Sequence, residues 1–425
     1  MRPHLLDEGG YDRLRLDQWL AGDARSAGIS RRSLLRLSAA VGLAAGVAGT
    51  AAPSSASADP AATGPILKPL PPELFTVFGT NAEMRWEAMR DQGYLVPIDR
   101  FFVRNHTSTP VLDADTWRLR LFGAGLHGSP TAEDPVEFSY RQLRRMPAET
   151  ITAFVECAGN GRRFYTTQQG QSVSGTAWGL GAVGVARWRG VRLSTVLRHA
   201  GLNRRAVDVM PSGLDPNFVT GGVDLGPVRR PFPVRKALHD VLLAYEMNGV
   251  PLPADHGHPV RVVVPSWIGI SSIKWVGSIE VSDEPLFSPW NTQFYRLFGP
   301  GQPADGTLVN HQVVKSAFEL AWDAALPAGR TTTLRGRSWS GNGGIRLVRV
   351  SVDGGRSWQR ARPVGRASDT AWQRWEVDWR PDAPGAYELL ARATDDTGVA
   401  QPDVTPYNTL GYVFGGVVRH PVTVT

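Results

Sequence analysis

Cysteine is almost missing from this sequence: Cys157 is the single one in 425 residues. One thiol rules out an intramolecular disulfide, a CxxC redox pair and a cysteine-rich zinc site, and no CxxCH is present to attach a c-type haem. Lysine is nearly as scarce. Lys68, Lys236, Lys274 and Lys315 are the four among 46 basic residues, so the net charge of +7 (46 minus 39) is carried by arginine. With no basic run or stripe, that excess suits small anions and argues against nucleic acid as a partner. Neither GxGxxG nor GxxxxGK[ST] occurs, which removes support for a Rossmann unit or a P-loop. The longest apolar run, Leu37 to Ala52, is about 16 residues, short of the roughly 20 that cross a bilayer.

That run instead has the flanks of a cleaved leader. Ser30-Arg31-Arg32-Ser33-Leu34-Leu35-Arg36 stands before it and Ala56-Ser57-Ala58, a small-x-small cleavage site, follows it. The arginine pair resembles a twin-arginine export signal; the plainer alternative is a chance pair before an ordinary secretory leader. The expectation is a signal peptide over 1–58, an exported mature chain without a transmembrane segment, and a cofactor inserted before export.

A Pro/Ala linker is expected over 59–80. Thr80-Asn81-Ala82-Glu83 has the form of a capping box and predicts a helix to about Gln92. Short helices and strands then mix to about residue 308, with strands expected at Val260–Val264 and Ile273–Gly277 and a helix at Leu193–Ala200. From 309 onward only strands are expected. Val348, Val350 and Val352, then Trp375, Val377 and Trp379, then Tyr387, Leu389 and Ala391 alternate with polar positions. The fold class is α+β over 81–308, followed by an antiparallel immunoglobulin-like sandwich over 309–425 that lacks the cysteine pair.

Cys157 ends an apolar strand, Ile151 to Glu156, that runs into Ala158-Gly159-Asn160-Gly161 and then Arg162-Arg163. Buried filler is the ordinary role of such a cysteine. Its place at the strand end, the small residues after it and the arginines beside it suit a soft metal ligand or a nucleophile, and spacing leaves both open. Two histidine clusters accompany it: Pro97 to His106, containing FFVRNH, and Asp255-His256-Gly257-His258-Pro259-Val260-Arg261. The HxH pair has no second ligand motif that would complete a zinc site. Loop His, Arg and Asn are also what a bound phosphate needs.

Taken in order, FFVRNH, Cys157-Ala-Gly-Asn, Ala182 to Trp188 with Gly190-Val191, Leu242 to Pro253 (LLAYEMNGVPLP), DHGHPVRVVVP, Ile273-Lys274-Trp275 and Val348 to Trp358 (VRVSVDGGRSW) resemble the sulfite oxidase family of molybdopterin oxidoreductases. The resemblance runs from about Pro97 to the C-terminus. It implies molybdenum and molybdopterin as cofactors, with Cys157 as the one protein ligand to the metal. It further implies that Phe102, Val103, Arg104, Asn105, His106, Asp215, His256, Arg261, Ser272, Ile273 and Lys274 hold the pterin and its phosphate. Arg104, Arg162, Trp178 and Tyr295 match the family's substrate-pocket positions, and the tail matches its dimerisation domain. The implied activity is oxidation of sulfite to sulfate in a homodimer. The chain carries no haem domain and no flavin motif, so electrons are expected to leave to an external acceptor, a cytochrome c or dioxygen.

Two departures stand out. A basic residue of the family is Ser174 here, and the C-terminal arginine of vertebrate relatives aligns with Leu410. A dianion deprived of half its cationic partners is costly to desolvate, so the same cofactor acting on a less charged substrate, or as a sulfoxide or other oxo-group reductase, is the enzymatic alternative. An exported Ig-like binding protein and a Cys-His hydrolase are the other readings; the first predicts no metal, the second rapid alkylation of Cys157 with loss of hydrolase activity.

Overall fold

The computed structural model describes residues 65–425; the expected leader and the first part of the expected linker lie outside them. Sheets dominate, and the α-helices among the described residues are only four to seven residues long. None is long and apolar enough to cross a membrane.

Two five-stranded sheets form the first part of the molecule. In one, Ala148–Glu156 pairs antiparallel with Val183–Arg192, which pairs with Leu242–Met247; that strand also pairs Val250–Pro251 and Arg261–Val263. In the other, Asp208–Gly213 and Val276–Ser282 lie at the centre, and Val276–Ser282 runs parallel to Arg118–Phe122. Buried Val, Ile and Leu fill the strands Leu242–Met247, Arg261–Val263 and Val276–Ser282, while Arg118–Phe122 alternates buried Leu with exposed Arg. The helix Leu193–His199 buries Leu193, Val196 and Leu197, spaced to share one face, and ends on Arg198 and His199, which oppose the negative end of its dipole.

The second part carries two sheets, ordered Lys315–Phe318, Thr332–Trp339, Gln373–Trp379, Arg362–Val364 and Ala324–Leu326, Arg419–Val424, Gly385–Asp395, Ile345–Ser351, Gln359–Arg360. Inward residues of both sheets, among them Phe318, Trp375, Val348, Val350, Leu389 and Val422, make one core. The alternation read from the sequence places these strands correctly, since each turns every second side chain inward.

Three local expectations are corrected. Asn81–Met84 is a strand, paired with Phe75–Phe78 and Val103–Arg104, and only Trp86–Met89 makes a 3-10 turn. The reason is tertiary: both oxygens of Glu83 are taken by the backbone N–H groups of Gly179 and Gly181, each at 2.9 Å, so Glu83 does not cap a helix. The stretch 65–80 is packed, with Ile66 and Phe75 buried and the Leu67 and Lys68 amides donating to the Asp255 carboxylate at 2.7–3.1 Å. The strand expected from Ile273 begins only at Val276, because Trp275 adopts a left-handed backbone (φ 51°).

Candidate functional site

The long strand Ala148–Glu156 delivers Cys157 to the wall of a cleft of about 710 Å³, open solvent at its mouth included. The thiol is 8% exposed, and Sγ accepts a hydrogen bond from the Gly159 amide at 3.4 Å. Gly159 is needed here: a Cβ would stand 2.7 Å from the Arg162 guanidinium.

Of the residues expected to hold a cofactor, Phe102, Arg104, Asn105, His106, Asp215, His256, Arg261, Ser272, Ile273 and Lys274 all line this cleft, as does Tyr295. Val103 does not; it is buried in the small sheet opposite Ala82. Arg162 and Trp178 also stay outside the lining. Arg162 donates to the carbonyls of Leu410 and Thr176, both at 2.8 Å, and lies over the Tyr412 ring. Trp178 packs edge-on to Phe78 in the same core cluster as Cys157. His258 contacts the Leu252 carbonyl and does not line the cleft, so the HxH pair does not converge.

The cleft is strongly cationic. Lys274 Nζ donates to Asn105 Oδ1 and to the Asp255 carbonyl, and sits 4.1 Å from the centre of the Trp275 ring. Arg261 donates to the carbonyls of His256 and Ser272 and stacks over Trp188 at 4.9 Å. Arg104 pairs with His106 Nδ1, whose Nε2 faces the Trp290 indole N–H at 2.9 Å. Burial holds Lys274 well below its ordinary value and brings Arg261 down to about 9. His256 is likewise held far below 6.5, by burial first and then by Lys68, Lys274 and Arg261; His106 follows, by burial and then Arg104 and Lys274. Asp215 moves the other way, to about 6, because burial outweighs its hydrogen bonds and nearby cations.

These shifts share one physical cause. Cations crowded into a buried cleft are penalised until an anion enters and repays their desolvation. His256, which lines the cleft, has its Nε2 buried without a hydrogen-bond partner, which suits a polar atom reserved for a ligand. Among the described residues no group of three or more His, Cys, Asp or Glu could hold a metal ion. A metal here would have Cys157 as its protein sulfur and take its remaining donors from a cofactor, so the donor set fits a sulfur-ligated metal carried on an anionic organic group.

Sequence reasoning missed part of this site. Asp255 and Trp275 line the cleft, and both lie inside motifs already singled out. Phe101, Ala158, Val228 and Gly269 also line it and carry no chemical signal of their own.

Comparison with known proteins gives the same picture. Residues 106–290 match the oxidoreductase molybdopterin binding domain and residues 312–423 the Mo-co oxidoreductase dimerisation domain. The chain is 35% identical over 372 residues to mouse mitochondrial sulfite oxidase, covering 83% of this chain and 65% of that protein. It is 37% identical over 347 residues to chicken sulfite oxidase, covering 76% and 71%. The chain thus spans just under two thirds of the mouse protein's length. Among solved structures, the sulfane dehydrogenase SoxCD from Paracoccus pantotrophus superposes with a TM-score of 0.67 at 30% identity, over 79% of this chain and 82% of that one.

Proposed function

The chain belongs to the sulfite oxidase family of molybdopterin-dependent oxidoreductases, and from that premise we propose that it oxidises sulfite to sulfate in an extracytoplasmic compartment and passes the electrons to an external acceptor. The observation that carries this reading is the placement of Cys157, the chain's one sulfhydryl, on the wall of a buried cleft whose lining also includes Arg104, Arg261, Lys274, His106 and His256.

In this reading Cys157 would be the protein ligand to molybdenum. Arg261, Lys274, His256 and His106 would hold the pterin and its phosphate, together with Asp215 and the Ser272 to Lys274 segment. When bound, the cofactor supplies two-electron oxygen-atom transfer, and the protein supplies binding, orientation and charge. Arg104 draws the anionic substrate in and holds its oxygens. Tyr295, kept protonated because burial pushes its phenol up, donates a hydrogen bond to the developing oxyanion. Arg162 and Trp178 shape the pocket from behind, Arg162 by fixing the Leu410 segment.

The second module, 309–425, is read as an immunoglobulin-like dimerisation domain and the protein as a homodimer; the match to a dimerisation domain over 312–423 supports this. Export rests on the twin-arginine leader over 1–58. A cytochrome c or dioxygen is the acceptor.

One observation favours a second substrate. The Arg162 guanidinium is spent on backbone carbonyls while Ser174 and Leu410 bring no charge, so Arg104 is the one guanidinium of the four family positions that lines the cleft. A less charged sulfur compound fits such a pocket, in keeping with the likeness to a sulfane dehydrogenase. The deciding experiment is sulfite-dependent ferricyanide reduction by protein with molybdenum near one per chain. Turnover at micromolar KM supports sulfite; molybdenum present but left oxidised by sulfite removes that substrate and points to less charged donors. Protein that folds around no molybdenum at all sinks the whole reading.

A further inference from the structure

Glu156, the residue before Cys157, is completely buried, yet its carboxylate is engaged on every side. Lys315 Nζ donates to Oε1 at 2.6 Å, Asn160 Nδ2 donates to the same oxygen at 2.9 Å, and the Trp339 indole N–H donates to Oε2 at 2.8 Å. Lys315 Nζ also donates to the Asn160 carbonyl at 3.0 Å, and Gln312 Nε2 to the Glu156 carbonyl at 2.9 Å. Gln312, Lys315 and Trp339 all belong to the part of the chain matched by the dimerisation domain.

Between the two pinned residues lies the turn that presents the sulfur. The Cys157 amide donates to the Ala182 carbonyl and the Asn160 amide to the Cys157 carbonyl, each at 2.9 Å, while the Gly159 amide points at Sγ. With Glu156 and Asn160 both fixed, the direction of Sγ and the N–H donor that tunes it are fixed with them. Had these contacts served stability alone, apolar residues would have done as well, since a buried ion pair adds little over a packed hydrophobic pair.

We propose that Lys315, assisted by Trp339, is a positioning residue for Cys157, so that the second module completes the platform of the metal-ligating sulfur. This rests on the reading of Cys157 as the molybdenum ligand. It also gives the second module a task inside its own subunit, separate from any pairing of subunits.

Three variants test it: Trp339→Phe, which removes one N–H from Oε2; the double substitution Glu156→Gln with Lys315→Met, which removes both charges together; and Lys315→Arg, which keeps the charge. The first readout uses cofactor-free protein, where the rate of Cys157 alkylation by iodoacetamide at fixed pH reports how often the turn opens. We expect the double variant to react at least ten times faster than wild type, Trp339→Phe to fall between, and Lys315→Arg to stay close to wild type. The second readout uses molybdenum-loaded protein: the sulfur-to-metal absorption band shifts, and kcat falls while KM for the substrate holds. Alkylation rates and spectra equal to wild type in Trp339→Phe and the double variant overturn the proposal. Alkylation needs no metal, so a chain that fails to bind molybdenum would fail the functional reading by itself and leave the turn to be judged separately.

Discussion

The Tyr295 ring lies almost parallel to the Tyr412 ring, centroids 5.0 Å apart and planes 15° from one another. Tyr295 lines the cleft from a left-handed backbone (φ 59°), a strained conformation for a bulky residue. Tyr412, from the returning C-terminal segment, backs it and carries the Arg162 guanidinium on its ring at 5.3 Å. Tyr295→Phe should keep this stack and lose the phenolic donor. Loss of one hydrogen bond to a charged group costs about 1.5–3 kcal/mol, so kcat/KM for sulfite is expected to fall roughly 10- to 150-fold. Steady-state kinetics at pH 8 checks this; an unchanged kcat/KM would show that Tyr295 only fills space.

Arg104 and Arg162 should separate cleanly. Arg104→Gln is expected to raise KM for an anionic substrate about tenfold or more, the worth of one charge-assisted contact, with little change in melting temperature. Arg162→Gln leaves buried carbonyls of Leu410 and Thr176 short of a donor, and should instead lower stability by about 1–3 kcal/mol. Kinetics and thermal melts on both variants decide it, and the reverse pattern would place Arg162 on the substrate.

The buried histidines predict acid sensitivity in the cofactor-free protein. His256 is held neutral, well below 6.5, whereas the unfolded chain protonates it near that value. Its contribution to stability is therefore complete above about pH 7 and is lost as pH falls through 6.5. Asp215, raised to about 6, has the opposite sign, since its contribution is lost as pH rises. Comparing wild type with His256→Gln cancels Asp215 and every other group. Between pH 7.5 and 5.5 wild type should lose more stability than the variant, measured by urea unfolding; equal losses would mean that His256 titrates alike in the folded and unfolded chain.

Cys157→Ser should fold, because the turn is pinned through Glu156 and Asn160 and not through the sulfur. It should retain pterin, which the proposed function assigns to Arg261, Lys274 and His256, and lose turnover entirely. Pterin fluorescence after acid extraction, together with the ferricyanide assay, tests both halves.

Much of this site was legible because its chemistry sits in contiguous motifs. FFVRNH, the segment ending at Cys157, and the His256 to Arg261 stretch each arrive at the cleft as short pieces, since a strand end or tight loop carries neighbours to the same place. Residues that act across the fold were not legible. Glu83 reads as a capping residue until the amides of Gly179 and Gly181, nearly a hundred positions on, claim its oxygens. Lys315 and Trp339 show nothing in their own surroundings that points to Glu156. Arg162 falls in a pocket motif, but the Leu410 carbonyl that holds its guanidinium is supplied by backbone, which no side-chain pattern announces. In the second module, period-two alternation was enough because each strand packs by its own rhythm.

The arm at Leu67 and Lys68 and the segment around Leu410 set a timetable for synthesis. Leu67 waits 188 residues for the Asp255 carboxylate, Lys315 reaches back 159 to Glu156, and Arg162 finds the Leu410 carbonyl only 248 residues later. A ribosome delivering the chain from its N-terminus exposes the FFVRNH loop and Cys157 long before their partners exist. Tyr295, the last residue to line the cleft, meets its backing ring only once residue 412 has emerged, so a chain cut before that point would leave this wall of the cradle without its support.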